Sequence, residues 1–245
     1  VHGVEKNKEI LSSLRKKKSH FFEPQINNKL KKIIRDKKFY YHNKIPNINN
    51  VNTYIITVGT PLNSNGKLIT KYIDAAVLEI AKFVKNDDCI ILRSTVKVGT
   101  TRKIVKKLNK ITNKKIKFAF CPERAIEGAA LKELNYLPQI IGGCDNKSVK
   151  HAKSIFSKVT KKIVQVSSLE NAEMVKLIDN SSRDVFFAYA NEIAKCCDEK
   201  GLDANEIISS GKKYYKRTFL ALPGLVGGPC LHKDPYILSE SFKSK

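Results

Sequence analysis

Nine residues near the carboxyl end, Gly227-Gly228-Pro229-Cys230-Leu231-His232-Lys233-Asp234-Pro235, bring a thiol, an ammonium and a carboxylate close together. Glycine tolerates backbone angles that a Cβ forbids, so Gly227 and Gly228 allow the chain to carry Cys230 up to a bound molecule. A cation nearby, here Lys233, favours the thiolate, which is the nucleophilic form. An arbitrary cysteine is more often a small buried hydrophobe. The glycines, Pro229 and the Lys233-Asp234 pair weigh against that reading. A second polar pair, Lys176 and Asn180, stands four apart in a helical pattern and so shares one helix face. A solvated surface pair is the usual fate of such residues; in a cleft they would face a ligand instead.

The elements that must position these groups follow from hydrophobic period. Short apolar, β-branched runs at 54–58, 89–92, 117–120, 139–141 and 163–166 predict strands, and 70–83, 101–108 and 147–157 carry apolar residues at helical intervals. Val1 to Glu5 reads as the end of one more strand. This alternation predicts an α/β fold, a Rossmann-like parallel sheet with helices on both faces. Ligands bind such sheets beyond the carboxyl ends of the strands, where Val58-Gly59-Thr60-Pro61, Ser94-Thr95-Val96 and Cys121-Pro122-Glu123 form the loops. From a cap at Ser167 or Ser168 one helix is expected to run to about Lys200 before Gly201. A helix of that span is roughly 45 Å long, enough to join two lobes. Its apolar side is read as Ala172, Val175, Ile178, Val185, Ile193 and Ala194, with Lys176, Asn180, Phe187 and Asn191 on another face.

A formal charge of +23 raises nucleic acid or an anionic membrane as partner. Lysine, asparagine and isoleucine are all abundant, however, and the densest basic clusters, 15–18 and 29–38, have Leu, Ile and Phe among them, so solvated helix faces account for the charge. No aromatic stacking set or recognition helix points to nucleic acid, and no apolar run reaches membrane-spanning length. Six cysteines without a repeating interval imply free thiols in a reducing cytoplasm, and their spacing with the histidines implies no metal site. Adjacent Cys196 and Cys197 read as core filler. Valine at residue 1 and the helix-like start at 239–245 lead to the expectation that the chain is a piece of a longer protein, whose missing leader would be unreadable.

Taken in order, Phe21-Phe22-Glu23-Pro24, Val58-Gly59-Thr60-Pro61-Leu62, Ser94-Thr95-Val96-Lys97-Val98-Gly99-Thr100, Cys121-Pro122-Glu123-Arg124 with Glu127-Gly128, Ile141-Gly142-Gly143, Glu173 with Lys176 and Asn180, and Gly227 to Asp234 resemble the nucleotide-sugar 6-dehydrogenases of the UDP-glucose/GDP-mannose dehydrogenase superfamily. The resemblance covers nearly the whole chain. It implies that residues 1–168 are part of an NAD-binding domain whose first strand and glycine-rich loop are missing. Residues 169–245 are then the long connecting helix and the start of a helical central domain through which a homodimer forms. A carboxyl-terminal UDP-sugar-binding domain is absent.

The resemblance implies two oxidations of a sugar C6 alcohol, to aldehyde and then acid, with NAD as acceptor. Cys230 is implied to be the nucleophile that gives a thiohemiacetal and then a thioester. Lys176 and Asn180 are implied to face the reacting oxygen, where they stabilise an oxyanion, and Lys176 to aid deprotonation if its pKa is depressed. Asp234 is implied to hold that lysine and a water, with Glu123 as a further acid. Glu5 is implied to meet the adenosine ribose, favouring NAD over NADP. Thr60, Pro61, Thr95, Glu127 and Lys233 fall on the cofactor side, Lys233 chiefly by setting the local field. Arg217 after Tyr215, with Gly224, Gly227 and Gly228, is implied to serve the substrate, although a solvated helix-end charge explains Arg217 equally well. Cys121 is read as structural.

The stretch 223–229 is most similar to the UDP-N-acetylhexosamine branch, acting on UDP-N-acetylmannosamine or UDP-N-acetylglucosamine to make polysaccharide precursors. UDP-glucose or GDP-mannose remains the alternative sugar. A single-step β-hydroxyacid dehydrogenase shares the Lys-Asn pair, but Cys230 in its glycine turn discriminates against that class. A basic nucleic-acid-binding module is the remaining, non-enzymatic reading.

Overall fold

The computed structural model describes residues 1–242. It opens on β1 (His2–Val4), α1 (Lys8–Arg15), α2 (Ile26–Arg35) and β2 (Tyr40–His42). Next come β3 (Thr53–Ile56), α3 (Lys71–Ala81), β4 (Cys89–Leu92), α4 (Thr100–Thr112), β5 (Lys117–Phe120) and α5 (Ala130–Glu133). Then follow β6 (Gln139–Gly143), α6 (Asn146–Phe156), β7 (Ile163–Gln165) and the long α7 (Leu169–Asp198). The chain closes with α8 (Ala204–Lys212), α9 (Gly228–Leu231) and α10 (Asp234–Ser241). Of the helix-like start expected at 239–245, Ser239 to Ser241 belong to α10, which has already begun, and positions 243–245 lie outside the described residues.

The strands form two sheets. β1 and β2 pair in parallel, His2 opposite Tyr40, and β3 to β7 form a five-stranded sheet in sequence order. Alternation sorts its side chains. Ile90 and Leu92 of β4 with Phe118 and Phe120 of β5 pack under α3, α4 and the start of α7, while Cys89, Ile91, Ala119 and Cys121 pack under α6. Every residue of β4 is buried, as expected of a strand covered on both faces, so its apolar run is unbroken.

One pairing departs from the expected parallel sheet: β5 and β6 are antiparallel, with Phe120 opposite Gly142. A parallel return needs a crossover that carries the chain back along the strand. The only helix between them, α5, has four residues, about 6 Å of rise, so the chain re-enters from the edge it left. The expected strand bounds otherwise shift by one or two residues, and the three-residue β2, unread in the sequence, has too few residues to set up an alternation.

Long α7 begins on Ser168, whose hydroxyl accepts from Asn171 N at 3.0 Å. Its start lies tight on β6, because a Cβ at Gly142 would stand 2.3 Å from the Ser168 carbonyl and 2.8 Å from Ala172 Cβ. Ala172 and Leu177 are buried, but Ile178 and Val185 from the expected apolar side are exposed. Cys196 is likewise exposed, with Cys197 alone buried, since neighbours on a helix point about 100° apart. Among the described residues no helix is long and apolar enough to cross a membrane.

Candidate active site

In-register parallel pairing of β3, β4 and β5 aligns Ile56, Leu92 and Phe120 at one edge. The loops that follow, carrying Thr60 and Pro61, Thr95, and Glu123 and Glu127, therefore leave the sheet on the same side. Thr60 is buried and Pro61 exposed. Ser94 ties two of these loops together by donating to Val58 O at 2.6 Å. Glu5 directly follows β1, with one carboxylate oxygen accepting Asn7 N at 2.8 Å and the other without a partner among the described residues.

Helix α7 passes this edge and is fastened to it. Buried Glu173 accepts from Gly99 N at 2.6 Å and from the Thr101 amide and hydroxyl at 2.7 and 2.5 Å. It thereby caps α4, whose own N-cap residue, Gly99, offers no side chain. Burial pushes the Glu173 carboxyl above its usual range, more than those hydrogen bonds lower it. Six residues further along α7, Arg124 reaches Asp179 at 2.8 Å. Glu170, on the first turn of α7, takes Arg102 of α4 through two bonds of 2.9 and 3.0 Å.

One and two turns beyond Glu173 on α7, Lys176 and Asn180 meet the carboxyl-terminal segment. Asn180 Nδ2 donates to Asp234 Oδ2 at 2.5 Å, and Arg183 donates to Asn180 Oδ1 at 2.5 Å. A cation on one side and a carboxylate on the other admit a single amide orientation, leaving one N–H of Asn180 to meet an oxygen. Asp234 is fully buried and also accepts from Lys233 Nζ at 3.0 Å. The lysine hydrogen-bonded to Asp234 is its chain neighbour Lys233, while Lys176, the lysine expected there, feels Asp234 through its charge. Lys176 makes no hydrogen bond among the described residues. Burial pulls its ammonium below the usual lysine range; Asp234 and Cys230 oppose the fall, while Lys233 and Arg183 deepen it.

Cys230 is exposed on the short α9, preceded by Gly228 at φ +87, a backbone angle that only glycine adopts without strain. Gly227, by contrast, is extended. Helix α9 packs on α7, and α10 is anchored to the sheet edge by Glu240, which accepts from Leu68 N at 2.8 Å and from Lys97 at 2.6 Å. Packing of α9 on α7 and the Asn180–Asp234 bond group Cys230, Asp234, Asn180 and Lys176, with Lys176 feeling the charges of Cys230 and Asp234. Arg217 is exposed, with its guanidinium 5.1 Å from the ring centroid of Tyr215. Gly224 is held to α7 by Asn191, which donates to its carbonyl at 3.0 Å and accepts its amide at 2.8 Å. Two surface concavities, of about 370 and 280 Å³, lie between Lys17 and Arg35 and along Phe21 to Asn28, with Cys230 in the lining of neither.

Arg183 and Arg93 carry no signal in the sequence, whereas Asn191 is read onto the face of Lys176 and Asn180. Each acts through a neighbour brought to it by folding, and spacing carries no signal for that.

Residues 1–160 match the model of the UDP-glucose/GDP-mannose dehydrogenase family NAD binding domain, and residues 170–245 match that family's central domain. The UDP-N-acetyl-D-mannosamine dehydrogenase of Pyrococcus horikoshii is 32% identical over 99% of this chain and 59% of its own length. That of Methanococcus maripaludis is 34% identical over 98% of this chain and 56% of its own. The solved structure of the Pyrococcus horikoshii protein superposes with a TM-score of 0.94 at 31% identity, covering 100% of this chain and 59% of that one. A Staphylococcus aureus UDP-N-acetyl-mannosamine dehydrogenase gives 0.84 at 28%, covering 96% and 58%. The chain thus spans less than two thirds of the length of these relatives.

Proposed function

The chain belongs to the UDP-glucose/GDP-mannose dehydrogenase family, and on that premise we propose that the whole protein oxidises the C6 alcohol of a UDP-N-acetylhexosamine twice, to the uronic acid, for polysaccharide precursor synthesis. The observation that carries the reading is the junction of buried Asn180 and Asp234 with Lys233, beside Lys176 and the exposed Cys230. It joins an oxyanion donor, a lysine with depressed pKa and a thiol at the edge where the cofactor-side loops end.

NAD fits that edge. The unpartnered oxygen of Glu5 suits a ribose hydroxyl, and Thr60, Pro61, Thr95 and Glu127 line the loops around it. When bound, NAD takes up the hydride at each oxidation of C6. The chain's own residues do the rest. Lys176, with its pKa lowered by burial, accepts the alcohol proton, and with the free N–H of Asn180 it steadies the oxyanion. The Cys230 thiolate adds to the aldehyde carbon. After the second oxidation water releases the acid from the thioester, and the thiol is restored. Asp234, fully buried, holds Asn180 and Lys233 at fixed distance.

A division at 168/169, a preceding strand that pairs with the unpaired edge of β1 or β3, and a later domain that binds the nucleotide belong to the same proposal. So do a dimer partner and a cytoplasmic location. Val185, Phe186, Tyr189 and Ile207, exposed on α7 and α8, support a second copy as the partner, and free cysteines support a reducing compartment.

The test is NADH formation by the whole protein with UDP-N-acetylmannosamine, UDP-N-acetylglucosamine, UDP-glucose and GDP-mannose side by side. A UDP-N-acetylhexosamine should give the highest kcat/KM. Preference for UDP-glucose would move the protein to the neighbouring branch.

A further inference from the structure

Arg93, the residue after β4, is a largely buried cation, its side chain 9% exposed. It donates to Glu123 Oε2 at 2.6 Å and to Gln139 Oε1 at 2.9 Å, and its guanidinium lies 4.8 Å from the Phe156 ring centroid. Gln139 in turn donates to Pro122 O at 3.2 Å. One guanidinium thus holds the Pro122-Glu123 unit from both sides, directly and through Gln139. The other Glu123 oxygen accepts from the amides of Arg124 and Ala125 at 2.7 and 2.8 Å. A single planar fork between a carboxylate and an amide, stacked on a ring, is a geometry that lysine does not reproduce.

We propose that Arg93 is a positioning residue for the reaction: through Glu123 and Gln139 it fixes the loop between β5 and α5 against the sheet edge, where Arg124 of that loop meets Asp179 of α7. The proposal rests on the function proposed above. The charged and titratable groups around Glu123 are few. Arg93 comes from the end of β4, and Arg124, on the same loop, is committed to Asp179. The Cys121 thiol, two residues back, is pushed up by burial. Burial raises the Glu123 carboxyl, but Arg93 and the loop amides outweigh it and hold the carboxyl below its usual range.

The experiment uses the whole protein with Arg93→Met, Arg93→Lys, Glu123→Gln and the Arg93→Met/Glu123→Gln double variant. It records kcat/KM against pH for the preferred nucleotide sugar. Arg93→Met should lose about 10- to 100-fold, the scale of a loop displaced by an ångström. Arg93→Lys should recover part of that. On the Glu123→Gln background Arg93→Met should cost no more than about threefold further, because the two act as one unit. Additive losses or wild-type kcat/KM would overturn the proposal. Arg93→Lys keeps the buried charge, so it serves if Arg93→Met does not fold: a wild-type profile in Arg93→Lys also overturns the proposal. Carbon-13 NMR titration of Glu123 in the wild type and Arg93→Lys reads the pair without turnover. The midpoint should rise in the variant, and an unchanged midpoint counts against Arg93. A wild type that turns over no nucleotide sugar sinks the proposed function, while the titration still decides whether Arg93 governs Glu123.

Discussion

Gly142→Ala should damage this protein far more than a single methyl group suggests. The new Cβ would stand 2.3 Å from the Ser168 carbonyl and 2.8 Å from Ala172 Cβ. Restoring an ordinary contact of roughly 3.5 Å moves the start of α7 by about 1 Å. Neither obstacle is a flexible side-chain tip; one is the backbone of the helix cap and the other a methyl locked in the core. Overpacking of this kind costs about 1–3 kcal/mol, and the same shift pulls on the three Glu173 bonds that cap α4. The expected loss is about 3 kcal/mol, a fall in Tm of roughly 6–12 °C at this size. Urea denaturation and calorimetry measure it. Gly211→Ala is the control: that glycine lies within α8 with nothing within 4 Å of its added Cβ, so the substitution should stabilise by about 0.5–1 kcal/mol. A Gly142→Ala protein within about 0.5 kcal/mol of wild type, the range of ordinary surface changes, would refute the close approach of α7 to β6.

Glu173→Ala should cost about 3 kcal/mol in urea denaturation, because it strands two backbone donors and a hydroxyl. Because burial raises the Glu173 carboxyl, the folded state holds that proton to higher pH than the unfolded chain does. The stability this contributes is full below the unfolded carboxylate range and is lost as pH rises through the higher folded value; Glu173→Gln should remove that component from the pH–stability curve. With Lys176 depressed by burial, kcat/KM of the whole protein should rise with pH as the amine is freed, and Lys176→Arg, charged throughout, should abolish the rise.

Much of this arrangement is legible in the sequence. Continuous apolar runs such as Cys89 to Leu92 announce strands covered on both faces, and the Ser168 cap announces the start of α7. The three edge loops could be read because each follows such a run. The antiparallel turn of β6 was hidden in a short connection rather than in any residue pattern. The side-chain partnerships were hidden for another reason. Asp234 takes Asn180 from 54 positions away and Arg93 takes Glu123 from 30, distances that only the folded sheet closes. Exposure of Ile178, Val185 and Cys196 likewise escaped a reading by helical period, since the period fixes which residues share a face but not how much of that face is covered.

The role of Cys230 is read most directly from the stoichiometry of the reaction. With the preferred nucleotide sugar, the whole protein should yield two NADH for each uronic acid, counted by absorbance and by mass spectrometry of the product. Cys230→Ser, which replaces the thiol by a hydroxyl far less prone to ionise at neutral pH, should leave the acid undetectable. Acid formed by Cys230→Ser at the wild-type rate, or one NADH per turnover with an aldehyde as the final product of the wild type, would contradict the assignment of the thiol, and with it the two-step chemistry.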